Sequence, residues 1–202
     1  FAEFAECFGI KADKNKLFST LYQKAMEGDK DCGGMIACNY YSGEPVTGLE
    51  EGRPMFLRRP DSHLGLANFM RSHLYASLAT LKIGLDILLK EEDVKIDSVT
   101  GHGGLFKTKG VGQSILAAAM NAPISVMETA GEGGAWGMAL LAAYMLSKKD
   151  GQSLGDYLDS QVFAERISET MEPDSADVAG FEAYTKQYQA CLAAEKAAVQ
   201  AF

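Results

Sequence analysis

The chain has 202 residues, of which 47% are hydrophobic and 23% are charged, and this balance is typical of one globular domain with a single core. Its net charge of −8 would repel a nucleic-acid backbone, and every apolar run is shorter than the roughly 20 residues that a membrane span requires. We therefore expect neither a nucleic-acid partner nor a membrane anchor.

The cysteines and histidines indicate neither a disulfide framework nor a metal site. The four cysteines have no C-x-x-C spacing and the chain shows no signal peptide, which together favour reduced thiols and a cytoplasmic location. The three histidines do not complete a metal-ligand pattern. We therefore expect no metal bound by these side chains, which are Cys7, Cys32, Cys38, Cys191, His63, His73 and His102.

The first half of the chain predicts two helices and two short strands. A helix over 16–26 is followed by a strand over 33–40, a loop rich in Gly and Pro over 42–54, and a second strand over 55–58. The strongest periodicity in the sequence then predicts a long helix over 67–90. Its apolar face consists of Met70, Leu74, Leu78, Leu81, Leu85 and Leu88.

The most informative segment is a glycine-rich loop. The sequence Thr100-Gly101-His102-Gly103-Gly104 follows a strand predicted over 94–99 and precedes a helix predicted over 108–119. Glycines leave the backbone uncovered and a helix N-terminus presents unpaired N–H groups, so a flat phosphorylated ligand could rest here. A plain tight turn is the alternative, because the spacing matches neither G-x-G-x-x-G nor a Walker loop.

A second unit of the same kind follows. A strand predicted over 124–127 leads into a glycine-rich loop over 128–134 and a helix over 135–143, in which Trp136 is expected to pack in the core. Ligands of open α/β sheets lie beyond the carboxyl ends of the strands. We therefore expect both loops to open on one edge of the sheet, as two walls of one crevice.

The last predicted helix, over 178–199, carries an apolar stripe. This stripe could face a partner subunit or another domain, so a homodimer is possible. Its members are Phe181, Tyr184, Tyr188 and Cys191.

The order of these motifs over residues 33–200 resembles the adenosine-binding half of the FGGY carbohydrate kinases, with xylulokinase-like or ribulokinase-like members looking most similar. His102 departs from the family, in which this run is commonly all small residues. The residues that carry the resemblance are Gly103-Gly104, Thr108, the strand over 124–127, Glu132-x-x-Ala135-x-Gly137, Tyr41-Ser42-Gly43-Glu44 and the helical stretch over 71–79.

The resemblance implies an α/β fold of the actin-like ATPase (ribonuclease H-like) type, with a mixed sheet flanked by helices. Residues 1–202 would form the C-terminal, adenine nucleotide-binding domain. In the family the N-terminal domain carries an Asp-x-Gly-Thr phosphate loop, most of the sugar pocket and the catalytic base, and no Asp-x-Gly-[Thr/Ser] sequence occurs here. The chain also begins at Phe1 without a Met, so we expect it to be one domain of a larger enzyme.

The implied reaction is transfer of the γ-phosphate of ATP, with Mg²⁺, to a hydroxyl of a ketopentose such as xylulose. The sugar would be bound through the N-terminal domain, and the isolated domain would be inactive. A non-catalytic nucleotide-binding or interaction module of the same fold is the alternative. A nicotinamide dehydrogenase fragment is a weaker one, because the residue at the third glycine position of G-x-G-x-x-G is Phe106.

The resemblance also assigns nucleotide contacts within one loop. Gly101, Gly103 and Gly104 would let the ribose and α-phosphate lie against the main chain. Leu105 could pack on the base or belong to the core, and the Thr108 hydroxyl could bond the nucleotide or cap the following helix. No catalytic or metal-binding residue is assigned to this chain.

Overall fold

The computed structural model describes residues 1–96, 99–127, 133–164 and 168–201. The helices are α1 (Ala2–Cys7), α2 (Lys14–Ala25), α3 (Leu66–Lys90), α4 (Val111–Met120), α5 (Gly133–Ser147), α6 (Leu154–Tyr157) and α7 (Ser175–Ala201). The strands are β1 (Met35–Cys38), β2 (Met55–Arg58), β3 (Val99–Gly101), β4 (Ile124–Met127) and β5 (Ser168–Met171).

One half of the molecule is built from the antiparallel pair β1–β2 and the helices α2, α3 and α7. Helix α3 packs against α7 through aromatic rings, with the Tyr75 centroid 4.4 Å from Phe181 and 5.3 Å from Tyr184. The Tyr184 hydroxyl donates a hydrogen bond to the Ser72 carbonyl at 3.1 Å. Because Phe181, Tyr184 and Tyr188 are buried within the chain, the stripe on the last helix belongs to the core and gives no support for a homodimer.

The second half contains a mixed sheet in the order β3-β4-β5. Strands β3 and β4 are parallel, with Thr100 opposite Ser125, and β5 pairs antiparallel with β4. The buried Gln113 of α4 holds the helix to this sheet, because its Nε2 donates to the Ile124 carbonyl at 2.8 Å and to the Glu169 carbonyl at 2.7 Å. The carboxyl ends of β3 and β4 therefore meet at one edge, as predicted.

The structure corrects the helix predicted over 108–119. The glycine-rich loop leads instead into a 3-10 turn, Gly104–Lys107, and α4 begins only at Val111. Gly110 has a φ of +81°, a left-handed conformation that a helix interior does not accommodate, so the helix starts after it.

Two strand predictions also differ from the structure. The strand predicted over 94–99 is confined to Val99–Gly101, since Val94 and Ile96 are exposed and residues 97–98 lie outside the described part. The sequence predicts no strand at the position of β5, Ser168–Met171. The loop predicted over 128–134 is described only at Gly133 and Gly134, which here begin α5.

Candidate functional site

The loop after β3 presents an open surface of main chain. Gly103 has a φ of +103°, in the left-handed region that favours glycine, and Gly104 opens the 3-10 turn. At both positions the space where a Cβ would lie contains no described atom within 4 Å. The Phe106 N–H donates to the Gly103 carbonyl at 3.1 Å, which closes the turn. A flat ligand could therefore contact the backbone at Gly103 and Gly104 directly.

Gly101 differs from these two glycines. It is buried, and a Cβ on it would lie 2.4 Å from the Phe106 ring. The glycine at this position therefore lets Phe106 pack against β3. This is a structural role, and the face of Gly101 that was expected to receive a nucleotide is filled by that ring.

The structure places Leu105 at one of its two expected positions, the core, and Thr108 before the following helix. A Cβ on Gly112 would lie 2.8 Å from Leu105 Cγ, so the Leu105 side chain faces α4 and packs on the core. Thr108 is 8% exposed and precedes the helix by three positions. Of the two alternatives for its hydroxyl, capping of α4 is wrong, because the N-cap residue is Gly110 and no side chain caps the helix.

A largely apolar pocket of about 500 Å³ lies beside the open loop, at the carboxyl ends of β3 and β4. One wall is α5 and the other is α6 with the π-helical turn Leu158–Val162. Two aromatic rings meet edge to face within it, with their centroids 5.7 Å apart. The lining residues are His102, Met127, Gly133, Gly134, Trp136, Gly137, Leu140, Leu141, Leu154, Leu158 and Phe163.

Two glycines of α5 leave the pocket side of the helix bare. Gly134 and Gly137 are one turn apart, and a Cβ on either would meet no described atom within 4 Å. A glycine inside a helix costs about 1 kcal/mol relative to Ala. Gly137 therefore lowers the stability of α5 and leaves its surface uncovered. Trp136 is half-buried and lines this pocket. The expectation that Trp136 packs in the core is therefore wrong.

His102 joins the two loops. A Cβ on Gly133 would lie 3.1 Å from His102 Nδ1 and 3.2 Å from His102 Cβ, so the imidazole lies directly against the start of α5. This contact brings the two glycine-rich segments together at one edge of the sheet, which is the crevice that the sequence predicts. The intervening residues 128–132 lie outside the described part.

The segment after Gly104 is held from two sides, next to a second cavity of about 310 Å³. Lys109 Nζ forms an exposed ion pair with Glu169 Oε1 of β5 at 2.7 Å, and the hydrogen bond and charge of Glu169 raise the pKa of Lys109. Gln23 of α2 donates to the Lys109 carbonyl at 3.1 Å. These contacts fix the loop's position relative to α2 and β5.

The described residues form no metal site from protein side chains alone. Magnesium prefers carboxylate oxygens in octahedral geometry, and no group of three or more His, Cys, Asp or Glu side chains in the described ranges could hold a metal ion. Glu169, beside the loop, is already paired with Lys109. None of the helices in the described ranges has the length and hydropathy of a membrane span.

Comparison with known proteins identifies the family. Residues 2–146 match the sequence model described as the FGGY family of carbohydrate kinases, C-terminal domain. A search of curated proteins gave no match.

Solved structures share the fold at low sequence identity. A xylulose kinase from Lactobacillus acidophilus superposes with a TM-score of 0.64 at 19% identity, over 86% of this chain and 34% of that one. A gluconate kinase from the same organism gives 0.64 at 18% identity, over 86% and 34%. A Plasmodium falciparum glycerol kinase with ADP gives 0.57 at 17%, over 87% and 33%.

The chain thus spans about a third of the length of these structures. They have the actin-like ATPase fold, which confirms the predicted fold class. Together with the family match over residues 2–146, they establish that the chain belongs to the FGGY family of carbohydrate kinases, with the matched part being that family's C-terminal domain.

Proposed function

We propose that this chain is the adenine nucleotide-binding half of an ATP-dependent sugar kinase, and that the nucleotide lies across the open loop and the adjoining apolar pocket. The observation that carries the proposal is the uncovered backbone at Gly103 and Gly104. The ribose and α-phosphate lie against that backbone, and the base enters the pocket beside α5. Gly101, Leu105 and Thr108 support the loop from behind.

The two parts of the site suit the two ends of a nucleotide. Exposed main chain at a glycine loop offers hydrogen bonds to sugar and phosphate oxygens without a side chain in the way. An apolar pocket with few polar groups is typical of sites for flat aromatic ligands. The aromatic pair Trp136 and Phe163 gives the base a rigid wall.

In phosphoryl transfer the protein mainly positions the reactants and stabilises charge. On this proposal the chain binds the adenosine end of ATP and excludes water from it, and the hydroxyl proton is accepted by a base outside these residues. Mg²⁺ accompanies the ATP phosphates, where it would neutralise charge on the transferred group.

The substrate we propose is a ketopentose such as xylulose. The support is the similarity of Tyr41-Ser42-Gly43-Glu44 to the pentulose kinase branch. In the structure Glu44 orders this segment, because its Oε1 accepts a hydrogen bond from the Val46 N–H at 3.0 Å. The solved relatives are named as xylulose, gluconate and glycerol kinases, so the sugar must be tested directly. We also propose a cytoplasmic location, which the four free cysteines support.

The test is calorimetric titration of the 202-residue chain with ADP, comparing the unchanged protein with Gly104→Leu. Gly104 has no positive φ and open space at its Cβ position, so the variant should fold normally while its side chain fills the surface. We expect it to lose at least about tenfold in affinity, equivalent to roughly 1.4 kcal/mol.

Gly65→Leu is the matched control. Gly65 is also exposed and open at its Cβ position, but it lies at the start of α3, in the other half of the molecule. It should bind ADP as the unchanged protein does. Absence of ADP binding by the unchanged chain, or equal affinity in Gly104→Leu, would overturn the proposal.

A further inference from the structure

Helix α5 carries an exposed apolar face. Its 15 residues include no charged side chain, and none of them is buried. Met138, Met145 and Leu146 are 69%, 76% and 91% exposed, and Ala135 and Ala142 on the same side are exposed as well. A continuous apolar face of this kind on a soluble chain marks a surface that binds a partner.

The spacing on this face is that of a seam between two paired helices. Ala135, Met138, Ala142 and Met145 follow one another at intervals of three, four and three residues, the a/d spacing at which two helices pack with knobs into holes. A partner helix on this seam leaves the pocket accessible, because the pocket is lined by other positions of α5. These are Gly133, Gly134, Trp136, Gly137, Leu140 and Leu141.

The order of small and large residues makes the seam complementary to itself. When a second α5 lies antiparallel and centred on Leu140, Ala135 faces Met145 of the other copy and Met138 faces Ala142. Each long side chain then fills the space beside a methyl group, as close packing requires. A parallel pair would instead place Met against Met and Ala against Ala.

The charge of the chain also favours contact between copies at this helix. Each chain has a net charge of −8, so two copies repel each other. Because α5 has no charged residue, a contact along it brings no like charges together and buries no charge without a partner. A strongly charged partner would find no counter-charge on this face.

We propose that α5 is a self-association surface, at which two copies of this chain pair through antiparallel α5 helices. The proposal does not depend on nucleotide binding. A contact confined to two helices of 15 residues is at the lower end of the roughly 1,200–2,000 Å² that specific interfaces bury, so we expect a reversible dimer that dissociates in the micromolar range.

The experiment is sedimentation velocity of the 202-residue chain over a series of micromolar concentrations, in which the unchanged protein should pass from monomer to dimer. Met138→Glu and Ala142→Lys each place a charge in the seam. Each should weaken dimerisation at least about tenfold, because burying an unpaired charge is unfavourable. Circular dichroism should be unchanged, since both positions are exposed in the single chain. Leu88→Glu is the matched control, because Leu88 is 48% exposed but lies on α3, and this variant should dimerise as the unchanged protein does.

Mixing the two charged variants tests the antiparallel order. In a mixed dimer the carboxylate introduced by Met138→Glu faces the ammonium introduced by Ala142→Lys, and the remaining Ala142 and Met138 still face each other. The mixture should therefore form dimers under conditions in which neither variant dimerises alone. A parallel pair would place each introduced charge against an apolar residue and would show no such recovery.

Three results would overturn the proposal. They are a chain that stays monomeric at every concentration, a dimer that Met138→Glu and Ala142→Lys weaken no more than Leu88→Glu does, and a mixture that is no more dimeric than its components. Met138→Glu should bind ADP as the unchanged protein does, because Met138 does not line the pocket. Failure of the nucleotide site and failure of the α5 contact are therefore separate results.

Discussion

Helices α3 and α5, one from each half of the molecule, differ sharply in how far they are buried. In the half built on α3 and α7, aromatic rings and even an arginine are buried, with Arg71 only 1% exposed. In the other half, α5 is apolar on all sides, yet none of its residues 133–147, all of which the structure describes, is buried. The core lies where α3, α4 and α7 pack together, whereas α5 presents open surface. Substitutions of the same kind should therefore have different effects in the two halves.

The largest effect is expected from Asp177→Ala. Asp177 on α7 pairs with the buried guanidinium of Arg71, which also donates to the Tyr75 hydroxyl at 2.8 Å. Removing the carboxylate leaves a buried charge without its counter-ion, which typically costs about 3–5 kcal/mol. We expect the free energy of unfolding, measured by urea denaturation, to fall by that amount.

An exposed ion pair provides the control for this prediction. Asp61 lies 3.3 Å from Arg59, and the two side chains are 75% and 65% exposed. Asp61→Ala should change stability by less than about 1 kcal/mol, because solvent screens such pairs. A similar loss of unfolding free energy in Asp177→Ala and Asp61→Ala would mean that the Arg71–Asp177 ion pair does not hold α3 and α7 together.

Glycine-to-alanine substitutions compare the halves most directly. A Cβ on Gly180 of α7 would lie 2.2 Å from the Lys30 carbonyl oxygen, so Gly180→Ala should force backbone movement and cost about 1–3 kcal/mol. Gly137→Ala on α5 meets no described atom within 4 Å and should gain about 0.5–1 kcal/mol from helix propensity. Thermal unfolding should show a lower midpoint for Gly180→Ala and a higher midpoint for Gly137→Ala than for the unchanged protein.

Gly137→Ala also tests whether stability and nucleotide binding change in opposite directions. On the proposed function, a methyl group at Gly137 intrudes on the base pocket, so the more stable protein should bind ADP more weakly. Destabilisation by Gly137→Ala would show that α5 packs more closely than described. Unchanged ADP affinity would remove Gly137 from the pocket.

The sequence predicts the packed half better than the open one. The apolar repeat predicts a long helix over 67–90, and the structure places it at Leu66–Lys90. Leu74, Leu78 and Leu85 of the predicted face are buried, whereas Leu81 and Leu88 are exposed. The strand β5 was missed, since Ser168-Glu169-Thr170-Met171 has no apolar alternation and pairs with β4 through its backbone. Hydrophobic periodicity appears in a sequence where one face of an element is buried. An edge strand with little burial therefore shows no such periodicity.

The site shows the same limit. Gly101, Gly103 and Gly104 look equivalent in the sequence, but only the structure shows that the Phe106 ring covers the first and leaves the other two open. The bare face of α5 has a signal in the sequence, namely glycines one turn apart at positions 134 and 137. Whether a glycine admits a ligand or a neighbouring side chain depends on tertiary contacts that spacing does not encode.

The smallest effect concerns pH and the packed half. His73 on α3 lies against Phe69, with centroids 4.6 Å apart, and Asn39 Nδ2 is 3.2 Å from its Nδ1. Burial lowers the pKa of His73 below its ordinary value of 6.5. At a pH between the lowered pKa of His73 in the folded chain and its ordinary value of 6.5 in the unfolded chain, the unfolded chain binds more protons. The free energy of unfolding therefore decreases as pH falls below 6.5. The loss is complete once pH is below the folded-state pKa.

His73→Gln should remove this dependence while keeping a polar group beside Asn39. We expect the free energy of unfolding to fall more between pH 7 and pH 5 in the unchanged protein than in the variant, although both share every other titrating group. Parallel curves would show that the His73 ring is protonated as easily in the folded chain as in the unfolded one. Nucleotide affinity should be unaffected by the substitution, because His73 lies on α3, in the half of the molecule that does not contain the proposed nucleotide site.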